Sequence, residues 1–415
     1  MSQSPSISQT AAAPSVRVQT LVLTLSVGVA VLPLFAAQPL VGLIGPDLGI
    51  SDAFAGLAPM MTLLGYASGL LLLVPLTDLL ENRKVIVRTL GLGVVAAAGV
   101  AVASTPVLTF AALFAVGATT SAIHMMVPVA AAMTPEATRG RTIGTIMSGL
   151  MIGILMSRPC ASLAARLFGW RDSFVLDAAL LFVTALVLRF ILPRRQPIAG
   201  PSYGRLIASL GEFLRDEPVL RRRAAYQTLC MGSFSVFWTA VAFRLSAPPF
   251  DLGQIGLAIF ALAGVGGAII APVAGRLGDR GYTRPVTRLA HLTVIVAQLL
   301  AGMFGTGWLG FDPAAHPALA IGVLACAALL LDIGVIADQT LGRRLVNLLR
   351  PEARGRMNGL FTGLFFLGAS TGSALSGIVW SSWGWSGVCL AGAAYGAAAL
   401  ALTCTDRSTV SQADA

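Results

Sequence analysis

The feature that most constrains this chain is a succession of apolar runs, each about as long as a bilayer is thick. Runs bounded by charged or turn residues fall at 18–42, 54–77, 85–104, 107–133, 142–167, 173–193, 222–246, 254–274, 285–308, 316–339, 357–380 and 386–404. A helix needs roughly 20 apolar residues to cross the hydrocarbon core, so the sequence predicts twelve crossings, spans 1 to 12. Lipid offers the backbone no hydrogen-bond partner, which leaves only helices or a closed barrel. The alternation of a barrel strand is absent, so the spans read as helices. Only 11% of the residues are charged and the mean hydropathy is +0.82, against about 25% charge in an ordinary soluble domain. A soluble enzyme, a disordered chain and a disulfide scaffold are excluded, and no stretch is long enough for a separate soluble domain.

The formal net charge is +10. Its carriers are spread over loops, which points to membrane topology and away from nucleic acid. Arg83 and Lys84 follow span 2, Arg139 and Arg141 follow span 4, and Arg194 to Arg223 supply a dense group after span 6. Arg276, Arg280 and Arg284 follow span 8, and Arg343 to Arg356 follow span 10. The loops after spans 1, 3, 9 and 11 have none; Arg166, Arg171 and Arg244 are the exceptions elsewhere. The positive-inside rule then places both termini and every even loop in the cytoplasm, with the protein in the inner membrane. Residues 1–17 and 405–415 read as cytoplasmic tails; the first lacks a basic start and a cleavage site. The five cysteines form no CxxC pair, so neither a disulfide nor a zinc site is expected.

The chain divides into a six-helix bundle at 18–193, a linker at 194–221 and a second bundle at 222–404. Leu206, Ile207, Leu210, Phe213 and Leu214 have helical spacing among charges, which predicts an amphipathic helix on the membrane's inner face. The halves repeat. Span 5 opens with PEATRGRTIG and span 11 with PEARGRMNG, and Gly144/Gly359, Gly153/Gly368 and Trp170/Trp385 share one offset. Paired six-helix halves are a transporter architecture whose site lies near the midplane between them.

The loops after spans 2 and 8 read LTDLLENRK and GRLGDRG. Asp78, Arg83 and Lys84, and Asp279, Arg280 and Arg284, either latch a conformation through helix-end charges or are ordinary loop charges. These loops resemble the major facilitator superfamily signature G-x-L-A-D-R-x-G-R-R; the first copy lacks both glycines, with Val74 and Glu81 in their places. Gln38-Pro39-Leu40, Arg139-Gly140-Arg141 to Gly169-Trp170-Arg171, and Asp332-Ile333-Gly334 resemble the bacterial twelve-span drug:proton antiporter branch. The resemblance implies an all-α membrane protein, twelve helices in two pseudo-symmetric bundles. The chain departs from that branch twice. Span 4 opens with Thr109-Phe110-Ala111-Ala112-Leu113, without the branch's arginine, and span 5 has Arg158 where G-x-x-x-G-P-x-x-G has the glycine before proline.

Arg158 is ten residues from the end of span 5, about 15 Å deep, where an arginine costs at least ~2.5 kcal/mol. It needs a partner: an anionic substrate group, a titrating carboxylate, or a permanent structural ion pair. Asp332 in span 10 is the best carboxylate. Burial and a nearby arginine act in opposite senses on its proton affinity, so proton binding can depend on conformation. His124 is either a titrating group or a packed one, and Gln38 either bonds substrate or caps backbone. Asp338, Gln339, Arg139, Arg141, Arg354 and Arg356 read as a cytoplasmic gate. Trp170, Trp383 and Trp385 read as interface anchors.

No nucleotide-binding motif, metal spacing or nucleophile triad appears, so no enzyme activity and no cofactor are expected, and the proton gradient is the energy source. The expected function is proton-coupled export of a small organic molecule by alternating access. An uptake symporter is the alternative, and a non-transporting sensor on a transporter scaffold is a third reading. The expected partners are that molecule and the lipid bilayer, with no nucleic acid, and the protein is expected to be a monomer.

Overall fold

A computed structural model describes residues 16–196, 202–350 and 353–405. Most of both predicted tails, residues 197–201 of the linker, and Pro351-Glu352 of the repeated motif lie outside the described residues. The first half contains α1 (Val16–Ala36), α2 (Val41–Asp47), α3 (Asp52–Ala55), α4 (Leu57–Leu72), α5 (Asn82–Val102), α6 (Pro106–Thr120), α7 (Ala122–Met133), α8 (Glu136–Phe168) and α9 (Trp170–Ile191). The linker holds α10 (Tyr203–Asp216). The second half contains α11 (Pro218–Ser246), α12 (Gln254–Ala261), α13 (Gly266–Asp279), α14 (Thr283–Thr306), α15 (Pro317–Leu349) and α16 (Arg354–Thr405).

Among the described residues, eleven helical stretches are long and apolar enough to cross a membrane. The last must count twice. Fifty-two residues of straight helix would run about 78 Å, and Gly384 breaks the run with a positive φ of 59°, which glycine alone adopts at little cost. Twelve crossings result, as the sequence predicts.

Small residues set the helix spacing. A Cβ at Gly65 or Gly69 would overlap the Phe114 or Ala118 carbonyl, one at Gly149 or Gly153 would meet Thr24 or Gly28, and one at Gly368 or Gly372 would meet Thr228 or Gly232. Between apolar helices in lipid, such close backbone approach supplies the packing that the hydrophobic effect cannot.

Among the described residues, spans 4 and 8 are interrupted and span 2 ends irregularly. Span 4 breaks between α6 and α7 at Ser121, whose hydroxyl donates to Ala118 O at 2.7 Å. Span 8 breaks between α12 and α13 through a 3₁₀ turn, Leu262–Val265. Span 2 ends in another, Val74–Asp78. Broken helices at membrane depth are tolerated where protein or a cavity takes up the freed backbone groups.

Two expectations are corrected. The apolar face of α10 lies on protein. Leu206, Leu210 and Phe213 are buried, with Arg350 and Arg356 over the Phe213 ring. The helix ties the halves together: Tyr203 donates to Leu72 O at 2.8 Å, and Ser209 Oγ accepts from Arg356 at 3.0 Å. Of the three tryptophans read as interface anchors, Trp170 and Trp385 are buried and only Trp383 is exposed. Trp385 spends its N–H on Ala301 O at 2.8 Å, a partner inside its own bundle.

Candidate functional site

A cavity of about 520 Å³ opens on the side that carries the linker. Its walls come from both halves, among them Asp78, His124 and Leu150 from the first, Arg343, Arg356 and Thr362 from the second, and Leu210 of α10. An inner chamber of about 90 Å³ adjoins it, sharing His124, Leu150, Arg343 and Thr362, and ends at Arg158 and Asp332. On the opposite side the halves touch. Ser373 donates to Gly56 O at 3.1 Å, and a Cβ at Gly377 would lie 2.6 Å from Asp52 O. The path is open toward the linker and closed beyond Arg158.

Arg158 is 3% exposed. It precedes Pro159, which lacks the N–H that would bond Leu155 O and so loosens α8 locally. Its Nε donates to Gln38 Oε1 at 2.8 Å. Its guanidinium carbon lies 4.2, 4.9 and 5.2 Å from the rings of Trp238, Phe35 and Phe234. Facing rings stabilise a cation through their negative faces. Arg158 Nη2 has no hydrogen-bond partner.

Asp332 accepts from Trp238 Nε1 at 2.9 Å. It makes no ion pair with Arg158 within 4 Å among the described residues, so of the three partners considered for Arg158 a direct ion pair with Asp332 is not formed in this state. The two charges meet at Gly264, in the break of span 8: a Cβ there would lie 3.2 Å from Asp332 Oδ2 and 3.8 Å from Arg158 Nη1. A bare glycine backbone thus borders a gap between a guanidinium and a carboxylate. Broken helices flanking a midplane site are a recurring transporter device.

His124 lies closer to the cavity mouth, its Nε2 2.7 Å from the Tyr66 hydroxyl. Tyr66 packs edge-on to Phe366 from the other half at 4.6 Å. Gln339 lines the inner chamber beside Arg343. Asp338, read with it as a gate, is 1% exposed and lies inside the second bundle against Arg223 and His291. It lines neither cavity.

The loop charges do not behave alike. Asp279 receives Arg344 Nε at 2.8 Å within its own half, while Arg280 is exposed and Arg284 half-buried. Asp78 lines the cavity mouth opposite Arg356. Lys84 Nζ is 3.0 Å and Arg83 Nε 3.8 Å from Glu81, and the Lys84 bond holds the Glu81 carboxyl below the usual range. Arg139 Nε donates to Ala131 O at 3.1 Å and Arg354 Nε to Asn347 O at 3.0 Å; Arg141 is exposed. Arg139 and Arg354 each bond the preceding helix of their own half, and Arg141 faces the solvent.

Sequence reasoning missed the aromatic cage, Gly264, Tyr66 and Arg343. Trp238 carried a signal: it lies mid-span, where an indole N–H needs a buried acceptor. Phe35 and Phe234 carried none, since phenylalanine is ordinary in any span.

A family model described as the Major Facilitator Superfamily matches residues 23–346. The uncharacterized transporter YgaY of Escherichia coli O157:H7 is 34% identical over 374 residues, 89% of this chain and 91% of that protein. The crystal structure of the nucleoside transporter NupG, in a mutant form, matches with a TM-score of 0.74 at 16% identity, covering 95% of this chain and all 100% of that one. The D-xylose-proton symporter matches at 0.72 and 13%, covering 96% and 99%. At such identities the structural likeness is one of fold. With the family model and YgaY, the two-bundle path describes a multi-pass membrane transporter and not an enzyme: this chain belongs to the major facilitator superfamily.

Proposed function

We propose that the protein exports a small zwitterionic organic molecule from the cytoplasm across the inner membrane in exchange for protons, as the resemblance to the drug:proton antiporters implies. The supporting observation is the gap between Arg158 and Asp332. Arg158 offers a free Nη2, Asp332 stands across Gly264, and aromatic rings wall the guanidinium. A molecule with an anionic and a cationic group satisfies both.

The direction of coupling follows from which group the substrate engages. A cationic group on Asp332 competes with a proton there, so each expels the other, and by linkage that is exchange. An anion on Arg158 alone removes the counter-charge of Asp332 and favours its protonation, so anion and proton would travel together. That second reading is the uptake symporter, and the free Nη2 is the observation in its favour.

With the arginine-rich side in the cytoplasm, the described state is inward-facing. Substrate enters past Asp78 and Arg356, passes His124 and Arg343, and reaches Arg158. Rocking of the halves then closes the linker side and parts Ser373 from Gly56.

The test is flux in proteoliposomes under pH gradients of either sign, over a panel of zwitterions and anions. Zwitterion movement against proton movement supports export. Anion uptake together with protons supports the symporter. Cysteines placed in 202–216 should be labelled from the cytoplasm; labelling from outside would invert the topology.

A further inference from the structure

A second ionisable cluster lies in the second bundle, outside both cavities. His291 of α14, Asp338 of α15, and Arg223 and Cys230 of α11 meet there, 0%, 1%, 8% and 0% exposed. His291 Nε2 lies 3.5 Å, and Arg223 Nη1 3.8 Å, from Asp338 Oδ1. Neither Asp338 oxygen nor His291 Nε2 has a hydrogen-bond partner.

Counting hydrogens exposes a conflict. Thr403 Oγ1 is 3.0 Å from His291 Nδ1 and 2.9 Å from Ala399 O. The hydroxyl has one hydrogen, and a carbonyl can only accept, so that hydrogen goes to Ala399. Nδ1 must then carry its own hydrogen and donate to Thr403. In a neutral imidazole this leaves a bare lone pair on Nε2, aimed at a carboxylate that also only accepts. Arg223 supplies charge and no hydrogen bond: its Nη1 donates to Thr287 Oγ1 at 2.8 Å and lies 3.8 Å from Asp338 Oδ1, beyond hydrogen-bond distance.

We propose that His291 and Asp338 form a proton-binding site separate from the Arg158 gap, the proton lying on Nε2 and donated to Asp338 Oδ1. Cys230 Sγ lies within 4.8 Å of the imidazole nitrogen and the carboxylate, which raises a divalent metal as the competing occupant. The Arg223 guanidinium beside the same oxygen repels a divalent ion more than a proton, and a metal would also need a buried thiolate.

Among the described residues, Arg223, Cys230 and Tyr226 of α11 also face the pair, the Tyr226 ring 5.7 Å from that of His291, as do Thr287 and Thr403. Tyr226 also lines a linker-side cleft of about 290 Å³ with Arg222 and Leu402. The Tyr226 ring thus lies against both His291 and that cleft. The same two helices build the Arg158 gap: α15 carries Asp332 about 9 Å along the axis from Asp338, and α11 carries Trp238. Proton occupancy at the pair acts on the packing of both. The site does not rest on the transport reading and can be read without a substrate.

The chain has three histidines, so ¹⁵N-histidine-labelled protein in nanodiscs gives three imidazoles to follow by NMR. His291→Gln assigns the signal, or His124→Gln and His316→Gln assign it by elimination if that variant fails to fold. The expected result is a His291 signal with a hydrogen on both ring nitrogens, Nε2 included. Asp338→Asn should weaken or remove the Nε2 hydrogen; if it does not fold, the wild-type signal decides. A wild-type His291 signal with Nε2 bare at every pH sampled overturns the proposal. So does a change at fixed pH on adding Zn²⁺ together with protection of Cys230 from alkylation, which would assign the pair to a metal.

Discussion

Arg158 on α8 and Ser373 on α16 occupy the same place in the repeat, 215 residues apart, yet they do opposite things. The helices around them are built alike. Gly153 packs on the α1 backbone at Gly28, and Gly368 packs on the α11 backbone at Thr228. At the shared position the first half holds a buried charge with a free donor. The second holds a hydroxyl that is 3.0 Å from Thr239 Oγ1 and seals the far side through Gly56 O. Duplication supplied the scaffold, and divergence at one position left a buried cation with an unbonded donor in one half and a hydroxyl bonded across to the other half in the second.

Removing the charge should break this comparison most strongly. Arg158→Met leaves Asp332 buried without its nearby counter-charge, with an expected loss on the order of 3–5 kcal/mol, measurable by thermal unfolding in detergent. Adding Asp332→Leu should restore most of it, because two apolar groups leave no charge to satisfy.

The shared scaffold predicts matched effects in the two halves. Gly153→Val and Gly368→Val each drive a side chain into a facing backbone carbonyl, at a cost of about 1–3 kcal/mol or more. Unfolding of the two variants side by side checks this. A large loss in one and none in the other would mean that the halves pack by different rules.

Closure is expected to be cheap to loosen. Ser373→Ala removes the bond to Gly56 O, worth about 1 kcal/mol. Cross-linking between α3 and the outer part of α16 should fall while the protein stays folded. Unchanged cross-linking would remove Ser373 from the seal.

The smallest effect belongs to the loop charges. Asp279→Asn breaks an ion pair in which Asp279 is 70% exposed, so stability should change by about 0–1 kcal/mol. Because Arg344 lies in the same half, the inward and outward populations should barely move. Asp78→Asn should move them more, since Asp78 shares the cavity mouth with Arg356 of the other half.

The twelve crossings and the doubling were legible because lipid imposes a length on every span and glycine spacing records close packing. Arg158 and Asp332 were legible because charge is rare and costly at that depth. What stands between them was not. The sequence left a substrate anion, a carboxylate and a structural ion pair open as partners, and the hydrogen-bond partners are Gln38 and Trp238, because hydrogen bonding and ring faces compete with ion pairing when several polar groups share a buried site. Asp338 looked like its neighbour Gln339, but one residue turns a helical side chain by about 100°. That rotation sends Asp338 into the bundle and leaves Gln339 on the chamber wall. The gap at Gly264 was hidden because it depends on a helix break, which a run of alanines and glycines does not announce.

The central claim is that the charges flanking Gly264 move the substrate and do more than hold the fold. Its most direct test is gradient-driven flux, in proteoliposomes, of the compound that the panel identifies, for wild type and for the Arg158→Met, Asp332→Leu double variant, with thermal unfolding measured on the same preparations. A double variant that is folded and carries no gradient-driven flux is the predicted result. One that is folded and transports at the wild-type rate would contradict it.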